Sequence, residues 1–178
     1  MNIILFGFKS SGKTFLGRLL ALKLSRPFID TDEALERLYF HREKKTLSCN
    51  EIFHKEGEDF FRSLEKEVVF SLKSSSNAVI ALGGGSLNEK VFPFLSRIGD
   101  LLYLRASLGL ILKRIKEQKL PAFVEKEKEP FQTLQKLFYE KEVFFQKFKA
   151  QELSSDLLED PKKLTTTIQQ LQETYGSQ

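Results

Sequence analysis

The eight residues Gly7-Phe8-Lys9-Ser10-Ser11-Gly12-Lys13-Thr14 constrain this chain more than any other stretch. They have the form G-x-x-x-x-G-K-[ST], a loop that wraps phosphate groups. An apolar, strand-like run at 2–6 enters the loop, and a run with helical spacing at 13–24 leaves it. The physics asks for this context. Glycines allow unusual dihedrals and close backbone approach. Backbone amides and the helix N-terminus then face the anion. The expectation is a nucleoside triphosphate site in which Gly7, Lys9, Ser10, Ser11 and Gly12 form the cradle. Lys13 bridges the outer phosphates, and the Thr14 hydroxyl holds Mg2+. The alternative is a Gly/Ser-rich turn that binds nothing, and motif and context together argue against it.

What else the chain can be is bounded by its size and charge. At 178 residues it has room for a single domain with a substantial core. One cysteine, Cys49, cannot make an internal disulfide. The phosphate-loop strand starts at residue 2 without a basic leader, and no apolar run approaches the length of a membrane span. A cytoplasmic setting is expected, with no membrane partner. His41 and His54 with one cysteine are too few for a metal site. The net charge of +4 is concentrated in 113–149, where ten Lys/Arg face six Glu. That segment could be a nucleic-acid face. It carries no recognition motif, so a lid and helices that meet a polyanionic nucleotide are the simpler reading, and no nucleic-acid partner is expected.

Along the chain, 27–32 reads as a second strand ending in Asp30 and Asp32, which share a face if the strand continues. Acids at the carboxyl end of such a strand sit where ligands collect in open α/β sheets. Residues 33–73 read as helical, with breaks near Ser48-Cys49-Asn50 and at Gly57. Within them Arg62 and Glu65 are neighbours on one helix face. They are either an exposed ion pair or a preset fork for a carboxylate. A uniformly apolar strand at 78–82 runs into Gly83-Gly84-Gly85, which lets a ligand or another backbone come close. A short helix at 88–97, a strand at 100–104 and a helix at 107–116 follow. The stretch 117–131 is loop-like and suits a lid. An amphipathic helix at 132–149, a weak edge strand near 152–154 and a helix from 160 or 161 to about 174 complete the chain. Alternation of strands and helices predicts a three-layer α/β/α domain with a parallel sheet.

Taken together, the N-terminal phosphate loop, Phe28-Ile29-Asp30-Thr31-Asp32, the stretch Ile52 to Glu65 with G-E-x-x-F-R-x-x-E, and Gly83 to Gly85 resemble the shikimate kinase family over essentially the whole length. The resemblance implies a five-stranded sheet of order 2-3-1-4-5, a substrate-binding helical region at 33–65 and a lid at 117–131. It implies transfer of the γ-phosphoryl of ATP to the 3-hydroxyl of shikimate, in aromatic amino-acid biosynthesis, with Mg2+ as cofactor. By the same resemblance Asp30 reaches Mg2+ beside Thr14, and Asp32 is the base at the substrate hydroxyl. Arg62 pairs with the substrate carboxylate, Glu65 steadies Arg62, Phe53 and Phe61 line the ring, and Gly83, Gly84 and Gly85 approach the substrate by backbone. Arg114 either stacks on adenine or is an exposed helix-face arginine.

The sequence departs from the family pattern in two places. The lid motif Arg-Pro-Leu stands here as Leu120-Pro121-Ala122, which makes Lys119 the candidate phosphate cation. The second substrate arginine lies four residues before a tyrosine. Aligning on Tyr139 puts Gln135 there and makes Lys136 the candidate. Other readings are a related kinase for another small hydroxy acid such as gluconate, and a nucleotide-binding protein without turnover. A monomer is expected.

Overall fold

The first strand, β1 (Asn2–Phe6), is buried along its whole length, and its alternating side chains set the architecture. Ile3 and Leu5 point to one side of the sheet, Ile4 and Phe6 to the other, as the period of a strand dictates. The computed structural model describes residues 1–118, 120–148 and 150–176. In it β1 is the central strand of a five-stranded sheet with β2 (Phe28–Asp30), β3 (Val79–Ala81), β4 (Gly99–Arg105) and β5 (Gln151–Ser154). The order is β2-β3-β1-β4-β5 and every pairing is parallel, as expected.

The helices, in chain order, are α1 (Lys13–Leu24), α2 (Thr31–Glu43), α3 (Cys49–Glu56), α4 (Glu58–Ser71), α5 (Phe92–Ile98), α6 (Leu108–Glu117), α7 (Ala122–Glu125), α8 (Pro130–Phe145) and α9 (Pro161–Tyr175). Leu16 and Leu20 of α1 and Ile168 and Leu171 of α9 cover the Ile3/Leu5 face. Val69 of α4, Leu95 of α5 and Phe145 of α8 cover the Ile4/Phe6 face. The sheet is therefore the middle of three layers, and all its strands open their carboxyl ends toward the same edge.

The long helical stretch after β2 is broken where its turn residues lie. Ser48 and Glu51 form a reciprocal cap that starts α3, and Gly57 separates α3 from α4. Leu35 and Tyr39 of α2, Ile52 of α3, and Leu64 and Val68 of α4 close a small core of their own. Truncating a buried aliphatic side chain of this kind costs about 2–5 kcal/mol, so this wall has packing of its own beside that of the sheet.

Two expectations need correction. The second strand stops at Asp30, not at 32, because Asp30 caps α2: its Oδ1 accepts from the backbone of Asp32 (2.9 Å) and Glu33 (3.4 Å). A capping carboxylate satisfies otherwise orphaned helix amides, and this outweighs further extension. Asp30 and Asp32 therefore do not share a strand face; Asp32 sits in the first turn of α2. The loop-like stretch 117–131 also contains the four-residue helix α7.

Candidate active site

β1 delivers the phosphate loop to the carboxyl edge of the sheet. Ser11 N donates to Phe8 O (3.2 Å), closing the loop on itself. Gly12 then turns the chain into α1 at φ 98°, a conformation that costs glycine little. Ser10 also lies at positive φ, 62°, which for a non-glycine residue costs about 1–3 kcal/mol. Fixed contacts offset it. Arg114 Nη1 donates to Ser10 O (3.1 Å) and Ser155 Oγ donates to Ser11 O (2.5 Å). Arg114 is thus not an exposed helix-face residue. Its guanidinium also reaches Ser155 Oγ (2.9 Å) and Glu159 (2.8 Å), and it braces the loop from the C-terminal side. Gly7 and Ser11 are buried in the loop's frame, while Lys9, Ser10, Gly12, Lys13 and Thr14 face a cavity.

Lys13 is buried, and its ammonium donates to Gly7 O (3.1 Å) and Phe8 O (2.9 Å). Burial lowers its pKa to about 8, against the opposing pull of the Asp32 and Asp30 charges. Thr14 Oγ1 donates to Asp30 Oδ2 at 2.7 Å. A hydroxyl and a carboxylate meeting beside a phosphate loop are a hard-oxygen pair that suits Mg2+.

Asp32 faces the space between β2 and the loop. Its carboxyl is exposed toward the cavities, and protein surrounds the rest of it. That burial, reinforced by the Asp30 charge and opposed by Lys13, pushes its pKa up to about 6. The Cys49 thiol on the same wall is pushed up by burial and by the Asp32 and Glu36 charges.

Two cavities meet here. One, of about 510 Å3, runs along the loop past Thr14, Asp30 and Arg114. The other, of about 530 Å3, lies between the loop and the α3–α4 wall. Both volumes suit a small organic ligand. Phe53 and Phe61 line the second cavity edge to face, 5.6 Å between ring centres. Arg62 borders it with Nη1 on Glu65 Oε2 (2.6 Å) and its other nitrogens on Glu58 Oε1 (3.2 and 3.3 Å). Glu65 is itself buried and accepts from Ser86 Oγ (3.4 Å). Ala122 and Phe123 of α7 close the far side, tied to α3 by His54 Nε2 on Glu125 Oε2 (2.7 Å) and by Asn50 Nδ2 donating to Leu120 O (3.4 Å).

The glycine triplet divides its work. Gly84 and Gly85 line the cavity. Gly83 is not among the residues that line it and lies behind Asp32. Its N–H is given to Thr31 Oγ1 (2.7 Å), and a side chain there would run into the Asp32 carboxylate.

A family model described as shikimate kinase matches residues 9–172. The chain belongs to the shikimate kinase family. It is 41% identical to a shikimate kinase of Chloroherpeton thalassium over 66% of this chain and 60% of that one. It is 34% identical to a shikimate kinase of Aquifex aeolicus over 83% of each. A solved shikimate kinase from Acinetobacter baumannii, in complex with shikimate, is similar with a TM-score of 0.77 and 30% identity, covering 99% of this chain and 94% of that one.

Against the family pattern, the expectation for the second cation is corrected. Lys136 is exposed and is not among the residues that line the cavity. The same helix instead turns Leu137 and Lys141, one turn apart, to the cavity. Burial lowers the pKa of Lys141, and the Arg62 charge adds to that effect. Tyr139, used for the alignment, is 54% exposed, whereas Phe145 is buried against Phe6 and Tyr103. Aligning the motif aromatic on Phe145 puts Lys141 four residues before it, where the family pattern has arginine. Glu142, next to Lys141 and buried, accepts from the Tyr103 hydroxyl and from Arg105 Nε (3.1 Å), which fixes the rotation of α8. Lys119 lies outside the described residues.

Proposed function

We propose that this chain transfers the γ-phosphoryl group of ATP to the 3-hydroxyl of shikimate, giving shikimate 3-phosphate and ADP. The observation that carries the reading is that the two cavities share a wall made by Lys9, Asp32 and Gly84. A donor along the loop and an acceptor against α3 and α4 would meet at a carboxylate. In the transfer, the acceptor oxygen forms a bond to the γ-phosphorus while the bond from that phosphorus to the β–γ bridging oxygen breaks. The bridging electron pair leaves on ADP, and the hydroxyl proton passes to Asp32 Oδ. Such transfer depends on in-line placement and charge neutralisation more than on a strong base. Lys13 and the loop amides bind the phosphates. Thr14 and Asp30 would hold Mg2+, which when bound neutralises phosphate charge.

Arg62, oriented by Glu65 and Glu58, presents a planar fork to the acceptor's carboxylate, and Lys141 adds a second positive charge. The region 33–65 serves as the acceptor-binding wall and 117–131 as the lid. The test is ADP release with MgATP in the presence of shikimate, gluconate or neither. Stimulation by shikimate alone supports the reading, and stimulation by gluconate in its place overturns it.

The substitution Lys141→Met should raise KM for shikimate with kcat little changed, because loss of uniform binding appears in KM. A lost charge-assisted bond is worth about 1.5–3 kcal/mol, or about ten- to a hundredfold. Lys136→Ala should leave KM unchanged. The reverse outcome would return the role to Lys136.

A further inference from the structure

Among the described residues, the shared wall of the two cavities contains one positive charge, Lys9. Lys13 and Arg114 border only the loop cavity, and Arg62 and Lys141 only the other. The other described cations around the loop each have protein partners in this structure. Lys13 is held under the loop by two carbonyls. Arg114 is held by Ser10, Ser155 and Glu159, and Arg62 by Glu58 and Glu65. Lys9 is different. Among the described residues its ammonium makes no ion pair, and its hydrogen bond is to a neutral side-chain oxygen, Asn50 Oδ1, at 3.5 Å. It is half-buried, and its charge is felt by Asp32 and Lys13 alike. Gly84 packs on its backbone, where an added Cβ would lie 3.2 Å from Lys9 N, which fixes the side chain's starting point.

We infer that the Lys9 side chain supplies the positive charge that contacts the phosphoryl group in flight between the two cavities, with Asn50 holding the ammonium at the crossing point before transfer. This rests on the phosphoryl-transfer reading above and goes beyond the loop's backbone role. A group passing from donor to acceptor carries charge on its three outer oxygens. A cation placed where that charge is in transit, and not where the ground-state phosphate sits, lowers the barrier without tightening ATP. Asn50 hydrogen-bonds the Leu120 carbonyl as well as Lys9, so one side chain contacts both the ammonium and the 117–131 stretch.

The test compares wild type with Lys9→Met and Lys9→Arg, measuring steady-state kinetics with MgATP and shikimate, and ADP affinity by calorimetry. Lys9→Met should lower kcat by about a hundredfold or more while ADP affinity stays within about threefold, and Lys9→Arg should recover about a tenth of wild-type kcat. A Met variant with near-wild-type kcat overturns the inference. So does a fall in kcat matched by an equal loss of ADP affinity, which marks ground-state binding or a structural defect. If wild type shows no shikimate-dependent turnover, the acceptor reading fails separately. Lys9 is then judged by affinity for MgADP with fluoroaluminate, a mimic of the transferred group. A selective loss of about tenfold or more in Lys9→Met sustains the inference, and equal affinity overturns it.

Discussion

Lys13→Met should remove phosphoryl transfer almost completely, with kcat/KM for ATP down by about a hundred- to a thousandfold or more. The lysine is the one cation buried in the loop itself, and its burial has been expensive enough to lower its pKa to about 8. That cost predicts a second, separable result. Methionine has similar volume and removes a desolvated charge, which is favourable. It also leaves Gly7 O and Phe8 O without their shared donor, at about 1 kcal/mol for each lost bond. These terms oppose one another, so the thermal midpoint should move by only a few degrees, in proportion to a change of about 1 kcal/mol. Activity lost with the fold retained is the expected pair of measurements. Large destabilisation with the same loss of activity would mean that the ammonium chiefly holds the loop together.

The second large effect is expected at Asp32. Asp32→Asn keeps the size and a hydrogen-bonding oxygen but cannot take the acceptor's proton. General-base groups contribute about 10²–10⁴ in rate. The loose character of phosphoryl transfer favours the lower end of that range. The measurement is kcat and KM for shikimate separately. A fall in kcat of about a hundredfold with KM within about threefold identifies proton transfer at this oxygen. A raised KM with unchanged kcat would make Asp32 a binding group only. The carboxylate's place in the first turn of α2 bears on this, since a helix N-terminus favours its charged form while burial and Asp30 oppose it.

The parts of the site that were legible in the sequence are those encoded locally. The phosphate loop needs a strand, glycines and a helix start within a short span, and all are adjacent in the chain. Arg62 and Glu65 are three residues apart, so helical periodicity alone pairs them, and they meet at 2.6 Å. The layer order followed from alternation of apolar strands and amphipathic helices, and β1's two-sided burial matches its unbroken apolar run. Asp30 was legible as a candidate site residue but not as a helix cap, because capping depends on where the next helix begins.

The residues that escaped are those set by rotation and long-range packing. Lys136 and Lys141 sit on the same helix with similar surroundings in the sequence, and local pattern does not rank them. The choice is made by Glu142 anchoring to Tyr103 and Arg105 of β4 and by Phe145 packing under the sheet. Together these rotate α8 until Lys141 faces the cavity. A signal was present in the buried aromatic four residues after Lys141, but it is recognisable only once Tyr139 is known to be exposed. Gly83 is similar. It belongs to a triplet that suggests close approach to a ligand, yet its amide is claimed by Thr31, a residue far away in the chain.

The phosphate loop is where the two levels meet. Sequence alone determined that the chain grips phosphates, because loop curvature and amide direction are properties of neighbouring residues. It also marked Asp32 and Arg62 as candidates to meet the acceptor. Tertiary structure alone decided that Lys9, Asp32 and Gly84 form the common wall of two cavities. These residues come from the phosphate loop, α2 and the loop after β3, and only parallel packing of β2, β3 and β1 brings their carboxyl ends together. The wall is therefore built from groups distant in sequence, whose proximity depends on the register of the sheet.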